Sequence, residues 1–137
     1  MLVDIDHFKT FNDRFGHAAG DDVLKRITGI VMATVRDDDL VFRFGGEEFV
    51  VICDRLAAAP ALVLGERIRR AIAQSGDEAA RVSVSVGIAT CAQDAADYDG
   101  LFAAADQRLY QAKAAGRNCV VGERIAGDTP VRLLQAV

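Results

Sequence analysis

Arg43-Phe44-Gly45-Gly46-Glu47-Glu48-Phe49 sets two glycines and then two acids between apolar, strand-like runs, Leu40 to Phe44 before and Phe49 to Cys53 after. A two-residue Gly-Gly turn between such runs predicts a β-hairpin, because glycine accepts positive φ without a Cβ clash. Folding asks for no carboxylates just past a tight turn. Glycines that admit a close ligand, followed by two hard oxygen donors, point to a divalent cation and a phosphate.

Upstream of the hairpin, Met1-Leu2-Val3-Asp4-Ile5-Asp6 reads as a buried strand ending in acids. It begins without cap, turn or polar lead-in, as expected if an upstream segment is missing. Alternation puts Asp4 and Asp6 on one face and Ile5 on the other. Such a pair beside the hairpin glutamates would repel unless a cation lay between them, and Mg²⁺ takes oxygen ligands while leaving room for phosphate. Asp4, deep in an apolar strand, is read as a metal ligand. For Asp6 a helix cap is an equal alternative.

His7 to Phe15 reads as a short helix stopped by Gly16, and its first amides form a potential anion site. From Asp21 to Arg36, the residues Val23, Leu24, Ile27, Ile30, Val31, Thr34 and Val35 follow a single helical stripe. Asp37-Asp38-Asp39 ends it and leads into the hairpin strands, Leu40–Gly45 and Glu48–Asp54. Pro60 suits the first turn of a helix running to about Gln74. Val82, Val84 and Val86 alternate with Ser83 and Ser85 in a strand over Arg81–Ala89. Asp97 or Asp99 caps a helix ending at Gly116, and Asn118–Gly122 forms a last short strand. The order β-α-α-β-β-α-β-α-β predicts an α/β fold, a mixed sheet with helices packed on it, of ferredoxin-like or palm type.

Composition narrows the function. The 137 residues make one domain, able to bury roughly two thirds of its unfolded surface. A net charge of −4 opposes a broad grip on nucleic acid, which needs clustered cations. Cys53, Cys91 and Cys119 are far apart, without a CxxC spacing, and read as buried free thiols in a reducing compartment. The sequence shows neither a membrane-length apolar run nor a basic-then-apolar leader, which makes the cytoplasm the expected location. Lys113, Arg117 and Asn118 around Gly116, and Asn12 and Asp21 near Gly16 and Gly20, are each ordinary for helix ends and turns when taken alone.

Taken in order, these strings resemble one family. Leu2-Val3-Asp4-Ile5-Asp6-His7-Phe8-Lys9, Phe11-Asn12-Asp13, Phe15-Gly16-His17, Gly20-Asp21 and the hairpin stretch are followed by Ser85-Val86-Gly87-Ile88-Ala89. Ala105-Asp106, Leu109-Tyr110, Ala112-Lys113 and Gly116-Arg117-Asn118 complete the set. Together they are similar to the GGDEF domain of diguanylate cyclases, in its GGEEF variant. The resemblance implies a palm-like fold akin to nucleotidyl cyclases, with a mixed central sheet of about five strands surrounded by helices. It makes residues 1–122 the domain, lacking its first helix, and 123–137 a C-terminal tail.

The family's activity would be condensation of two GTP into cyclic di-GMP with release of pyrophosphate. By the resemblance, Asp4, the Ile5 carbonyl and Glu47 hold Mg²⁺ (or Mn²⁺), with Glu48 a further ligand or the base. Phe8 and Lys9 contact phosphate through backbone amides, and Lys113 and Arg117 through side chains. Asn12 and Asp21 read guanine, while Gly45 and Gly46 let the nucleotide lie against the hairpin. Turnover would require a homodimer of facing domains, brought together by a sensory or dimerisation domain missing from this chain. Arg36 and Asp39 fit an RxxD site for inhibitory cyclic di-GMP, with Arg67 as its secondary contact. The apolar face that the missing segment would cover is expected to be exposed or covered by a partner. The competing expectations are a nucleotide-binding module without turnover and, more remotely, a polymerase palm.

Overall fold

The computed structural model describes residues 1–91 and 93–123, so most of the proposed tail, residues 124–137, lies outside the described residues. Strand β1 (Leu2–Ile5) is buried along its whole length. It pairs antiparallel with β3 (Glu48–Ile52) on one side and with β4 (Val84–Gly87) on the other. The hairpin partner β2 (Leu40–Arg43) forms one edge, and β5 (Val120–Val121), parallel to β4, forms the other. The sheet order is β2-β3-β1-β4-β5. Four helices accompany it: α1 (Phe8–Phe15), α2 (His17–Thr34), α3 (Ala58–Ala73) and α4 (Tyr98–Ala114). This is the expected mixed five-strand α/β architecture, with a 3₁₀ turn at Glu78–Ala80 added before β4.

The period of two divides the sheet into unlike faces. Val3 lies opposite Phe49 and Val86, and Ile5 opposite Val84. With Val51 these residues pack against Val23, Leu24, Ile27 and Val31 of α2 and Leu64, Ile68 and Ile72 of α3. Fully burying such a side chain is worth about 1.5–3 kcal/mol, so this face carries most of the stability. On the other face Leu2 and Val50 meet Ala105 and Leu109 of α4. A Cβ on Gly87 would stand 2.1 Å from the Ala105 carbonyl oxygen, so α4 crosses directly over that glycine. Leu40, Phe42 and Ile52 extend this second face beyond α4 and remain exposed.

Several boundaries differ from the sequence expectation for identifiable reasons. The hairpin tip is not a two-residue turn with positive φ: neither Gly45 nor Gly46 has left-handed backbone. Instead the Phe44 amide donates to the Glu48 carbonyl at 2.8 Å and closes a wider loop. Helix α2 begins at His17 rather than Asp21, with Gly20 inside it where α1 packs close. Regular β4 pairing spans only the four residues that face β1, while Asp6 N–H to Ser83 C=O and Ile88 N–H to Val121 C=O carry bonding past its ends. Asp97, not Asp99, caps α4, accepting the Gly100 amide at 2.8 Å. Cys91 is exposed, whereas Cys53 and Cys119 are half-buried, so the expectation of three buried thiols does not hold.

Candidate active site

The register of the sheet assembles the acids. Asp4 stands directly across from Glu48 on β3 and from Ser85 on β4, so all three face α4. The Ile5 amide donates to the Glu47 carbonyl at 3.2 Å and ties the hairpin tip to β1. From α4, Lys113 Nζ reaches Asp4 Oδ2 at 2.9 Å. Asp4 is 5% exposed. Burial pushes its carboxyl above the ordinary range and Asp6 adds to the rise; Lys113 and the Arg117 charge only partly oppose them. Glu47 is raised too, first by burial and then by Asp4 and Glu48, against the pull of Lys113. The site therefore holds more negative charge than its own cations balance.

Asp6 departs from the cap role considered for it. It does not cap α1, whose N-cap residue is His7 in a left-handed conformation and which has no side-chain cap bond. Its Oδ2 accepts from Ser83 Oγ at 2.6 Å and the Asn118 amide at 3.0 Å, and its Oδ1 accepts from Ser85 Oγ at 2.6 Å. Three donors satisfy this carboxylate without metal. The Ser-x-Ser alternation signalled these partners, but in sequence it reads only as a polar strand face.

Past α4 the chain makes three successive left-handed residues: Gly116 (φ 109°), Arg117 (φ 65°) and Asn118 (φ 47°). Non-glycine residues there cost of order 1–3 kcal/mol each. Hydrogen bonds to charged groups, worth about 1.5–3 kcal/mol, are of the size needed to offset that. The Arg117 amide donates to the Ala112 carbonyl at 3.0 Å. Asn118 Oδ1 accepts from Arg69 Nη1 of α3 at 2.6 Å, and Arg69 is itself held by both Glu66 oxygens. Arg69 and Glu66 did not stand out in the sequence, where they look like solvated helix charges.

The guanine-reading candidates occupy the junction of α1 and α2. Asn12 packs so tightly on Gly20 that a Cβ there would lie 1.9 Å from Asn12 Oδ1. That oxygen is buried and has no hydrogen-bond partner. Asp21, the next residue along α2, is exposed, as is Lys9, while Phe8 is buried. No side-chain bond among the described residues joins this pair to Asp4 and Glu47; α1, starting two residues after Asp6, is the connection. At the hairpin, a Cβ on Gly46 would meet nothing within 4 Å, and one on Gly45 only Glu48 Oε2 at 3.2 Å. Backbone packing does not demand these two glycines.

Arg36, Asp39 and Arg67 line one pocket of about 360 Å³ with Leu56, Pro60, Val63 and Leu64. The Arg36 amide donates to Asp39 Oδ2 at 2.9 Å, the Asp39 amide returns to the Arg36 carbonyl at 3.1 Å, and Arg67 donates to the Thr34 carbonyl. A larger, mostly apolar cavity of about 470 Å³ lies between the hairpin strands and α4 and includes none of the candidate site residues. No cluster of three His, Cys, Asp or Glu ligands occurs among the described residues. Asp4 and Glu47 with a carbonyl suit an ion that uses one or two carboxylates plus ligand phosphates, as Mg²⁺ does. Burial raises both carboxyls and the Asp4 charge raises Glu47 further, a strain that such an ion would relieve. No described helix is long and apolar enough to cross a membrane.

Known proteins resemble this chain in sequence and in fold. The response regulator PleD of Caulobacter vibrioides is 44% identical over 129 residues, covering 90% of this chain and 28% of PleD. The probable diguanylate cyclase DgcT of Escherichia coli is 39% identical over 127 residues, 88% of this chain and 28% of that protein. The chain thus spans little more than a quarter of these relatives. Among solved structures, the active GGEEF domain of a Vibrio cholerae diguanylate cyclase superposes with a TM-score of 0.83 at 31% identity, covering 90% of this chain and 81% of that one. The GGDEF domain of DgcB from Caulobacter crescentus, in complex with c-di-GMP, gives 0.79 at 30% identity, covering 88% and 74%. Residues 1–119 match the diguanylate cyclase GGDEF domain, and the chain belongs to that family.

Proposed function

We propose that residues 1–122 form a cytoplasmic catalytic domain that condenses two GTP into cyclic di-GMP and two pyrophosphates. The observation that carries this reading is the gathering of Asp4 and Glu47, both with raised pKa values, beside Lys113 and a glycine pair that packing does not need. Asp4, the Ile5 carbonyl and Glu47, with Glu48 in reserve, would hold Mg²⁺ or Mn²⁺. The bound ion supplies Lewis-acid stabilisation of charge at the α-phosphate. Lys113 and Arg117, with the amides of Phe8 and Lys9, bind the triphosphate. The unpartnered Asn12 oxygen and the Asp21 carboxylate accept guanine N–H groups. Gly45 and Gly46 let the nucleotide lie on the loop.

Glu48, across from Asp4, receives the proton of a 3′-hydroxyl as that oxygen attacks the α-phosphate of the facing GTP. The bond to the β-phosphate breaks and pyrophosphate leaves. Two domains must face each other, because each holds one nucleotide and the chemistry joins two. The pocket of Arg36, Asp39 and Arg67 takes the product's phosphate and guanine edges and restrains turnover. The DgcB structure with c-di-GMP supports product binding to this fold.

Incubation of concentrated protein with GTP and Mg²⁺, with products separated by chromatography, tests the reading. Cyclic di-GMP is the expected product, and Glu47→Gln should lower its rate by on the order of a thousandfold. Nucleotide binding without product, even after fusion to a dimerising domain, would replace the enzyme with a regulatory module.

A further inference from the structure

Asp6 is buried and fully bonded within the site, yet neither the metal nor the base role uses it. Its carboxylate joins three separate segments: the residue just past β1; the Ser83–Ser85 stretch; and the Asn118 amide. Asn118 is gripped a second time, through its side chain, by Arg69 of α3. Between these anchors and the end of α4 sits Arg117, exposed, with a backbone conformation that is unfavourable without support. Arg117 is close enough to Asp4 to pull that carboxyl's pKa down. Two anchors on residue 118 thus fix where the guanidinium of residue 117 can stand.

We propose that Asp6 and Arg69 are positioning residues: through Asn118 they clamp the 116–118 turn so that Arg117 presents its cation to the ligand's triphosphate beside Asp4. This rests on the GTP reading above. Placement of a single cation by a preset turn costs the ligand nothing at the moment of binding, which is the advantage of a clamp over a mobile surface arginine.

The test measures GTP affinity of the full chain by calorimetry, with and without Mg²⁺, alongside hydrogen exchange at the Asn118 amide. Asp6→Asn preserves volume but removes the charge from the acceptor of the Asn118 amide. It should weaken GTP about tenfold, the scale of one hydrogen bond to a charged group, and should speed Asn118 exchange. Arg69→Ala, on an outer helix, should weaken GTP several-fold, Arg69→Lys should recover part of the loss, and this pair carries the test if Asp6→Asn fails to fold. In an Arg117→Ala background neither substitution should weaken binding further.

Losses that persist undiminished without Arg117, or that vanish when Mg²⁺ is omitted, would overturn the clamp, the latter in favour of a metal role for Asp6. Unchanged Asn118 exchange in Asp6→Asn would overturn it as well. Wild-type protein that binds no GTP would instead sink the nucleotide reading, while the exchange measurement still judges whether Asp6 holds the turn.

Discussion

Two carboxylate–cation pairs in this molecule, with carboxylate side chains of similar exposure, behave oppositely. Asp94 and Arg108 have side chains 7% and 17% exposed; Asp4 and Lys113 are 8% and 34% exposed. Arg108 engages both oxygens of Asp94, the Thr90 amide adds a bond at 2.7 Å, and the Asp94 carboxyl is held below its ordinary range. Asp4 receives one ammonium contact, and burial, with the Asp6 charge adding to it, holds its carboxyl above that range. Burial raises both carboxyls, but at Asp94 the Arg108 and Thr90 donors outweigh it, whereas at Asp4 burial outweighs Lys113. The first pair is complete and fastens the β4–α4 connection, since Arg108 also donates to the Ile88 carbonyl at 2.6 Å. The second is incomplete, as expected of groups whose remaining partner is a ligand.

The same substitution at each site should break the comparison in opposite ways. Asp4→Asn should remove on the order of a thousandfold of cyclase activity while leaving the urea midpoint unchanged or higher. Asp94→Asn should cost about 1.5–3 kcal/mol in the same unfolding experiment, because it removes charge-assisted bonds to a half-buried arginine. A destabilised Asp4→Asn beside an unaffected Asp94→Asn would invert the assignment of the two pairs.

Acidity sharpens the contrast. The lowered pKa of Asp94 contributes stability that is present above the unfolded value of 3.8 and is lost as pH falls through the folded value. The raised pKa of Asp4 works in the other sense: its contribution is full below 3.8 and is lost as pH rises through the folded value. Melting temperatures across the acid range should therefore lose less on acidification in Asp94→Asn than in wild type. In Asp4→Asn they should lose less as pH rises above 3.8.

The smallest effect is expected furthest from the acids. Arg36→Ala should weaken inhibition by added cyclic di-GMP several-fold with little change in the initial rate. Equal inhibition of both proteins would discard the Arg36–Asp39–Arg67 pocket as a product site.

Element order was legible because the apolar periods are clean: Val23, Leu24, Ile27 and Val31 in α2, and Val84 and Val86 in β4, are buried as their spacing requires. The Gly45-Gly46 turn type was not, because glycine permits positive φ without requiring it. Asp4, Glu47 and Lys113 were recognisable by family resemblance, and the structure brings them together. The bonds around Asp6 were hidden by distance along the chain: Ser83, Ser85 and Asn118 lie far from it in sequence and meet it only through the β1–β4 register and the turn after α4. Local patterns name a carboxylate's chemistry; long-range pairing decides whether its partners are already present.

Side-chain carboxyl titration of the full chain by carbon-13 NMR tests the central claim most directly. Asp4 should titrate above 3.8 and Glu47 above 4.5, both moving down when Mg²⁺ and GTP are added, while Asp94 stays below 3.8 throughout. Asp4 and Glu47 titrating at or below those values in the free protein, and indifferent to Mg²⁺ and GTP, would contradict it.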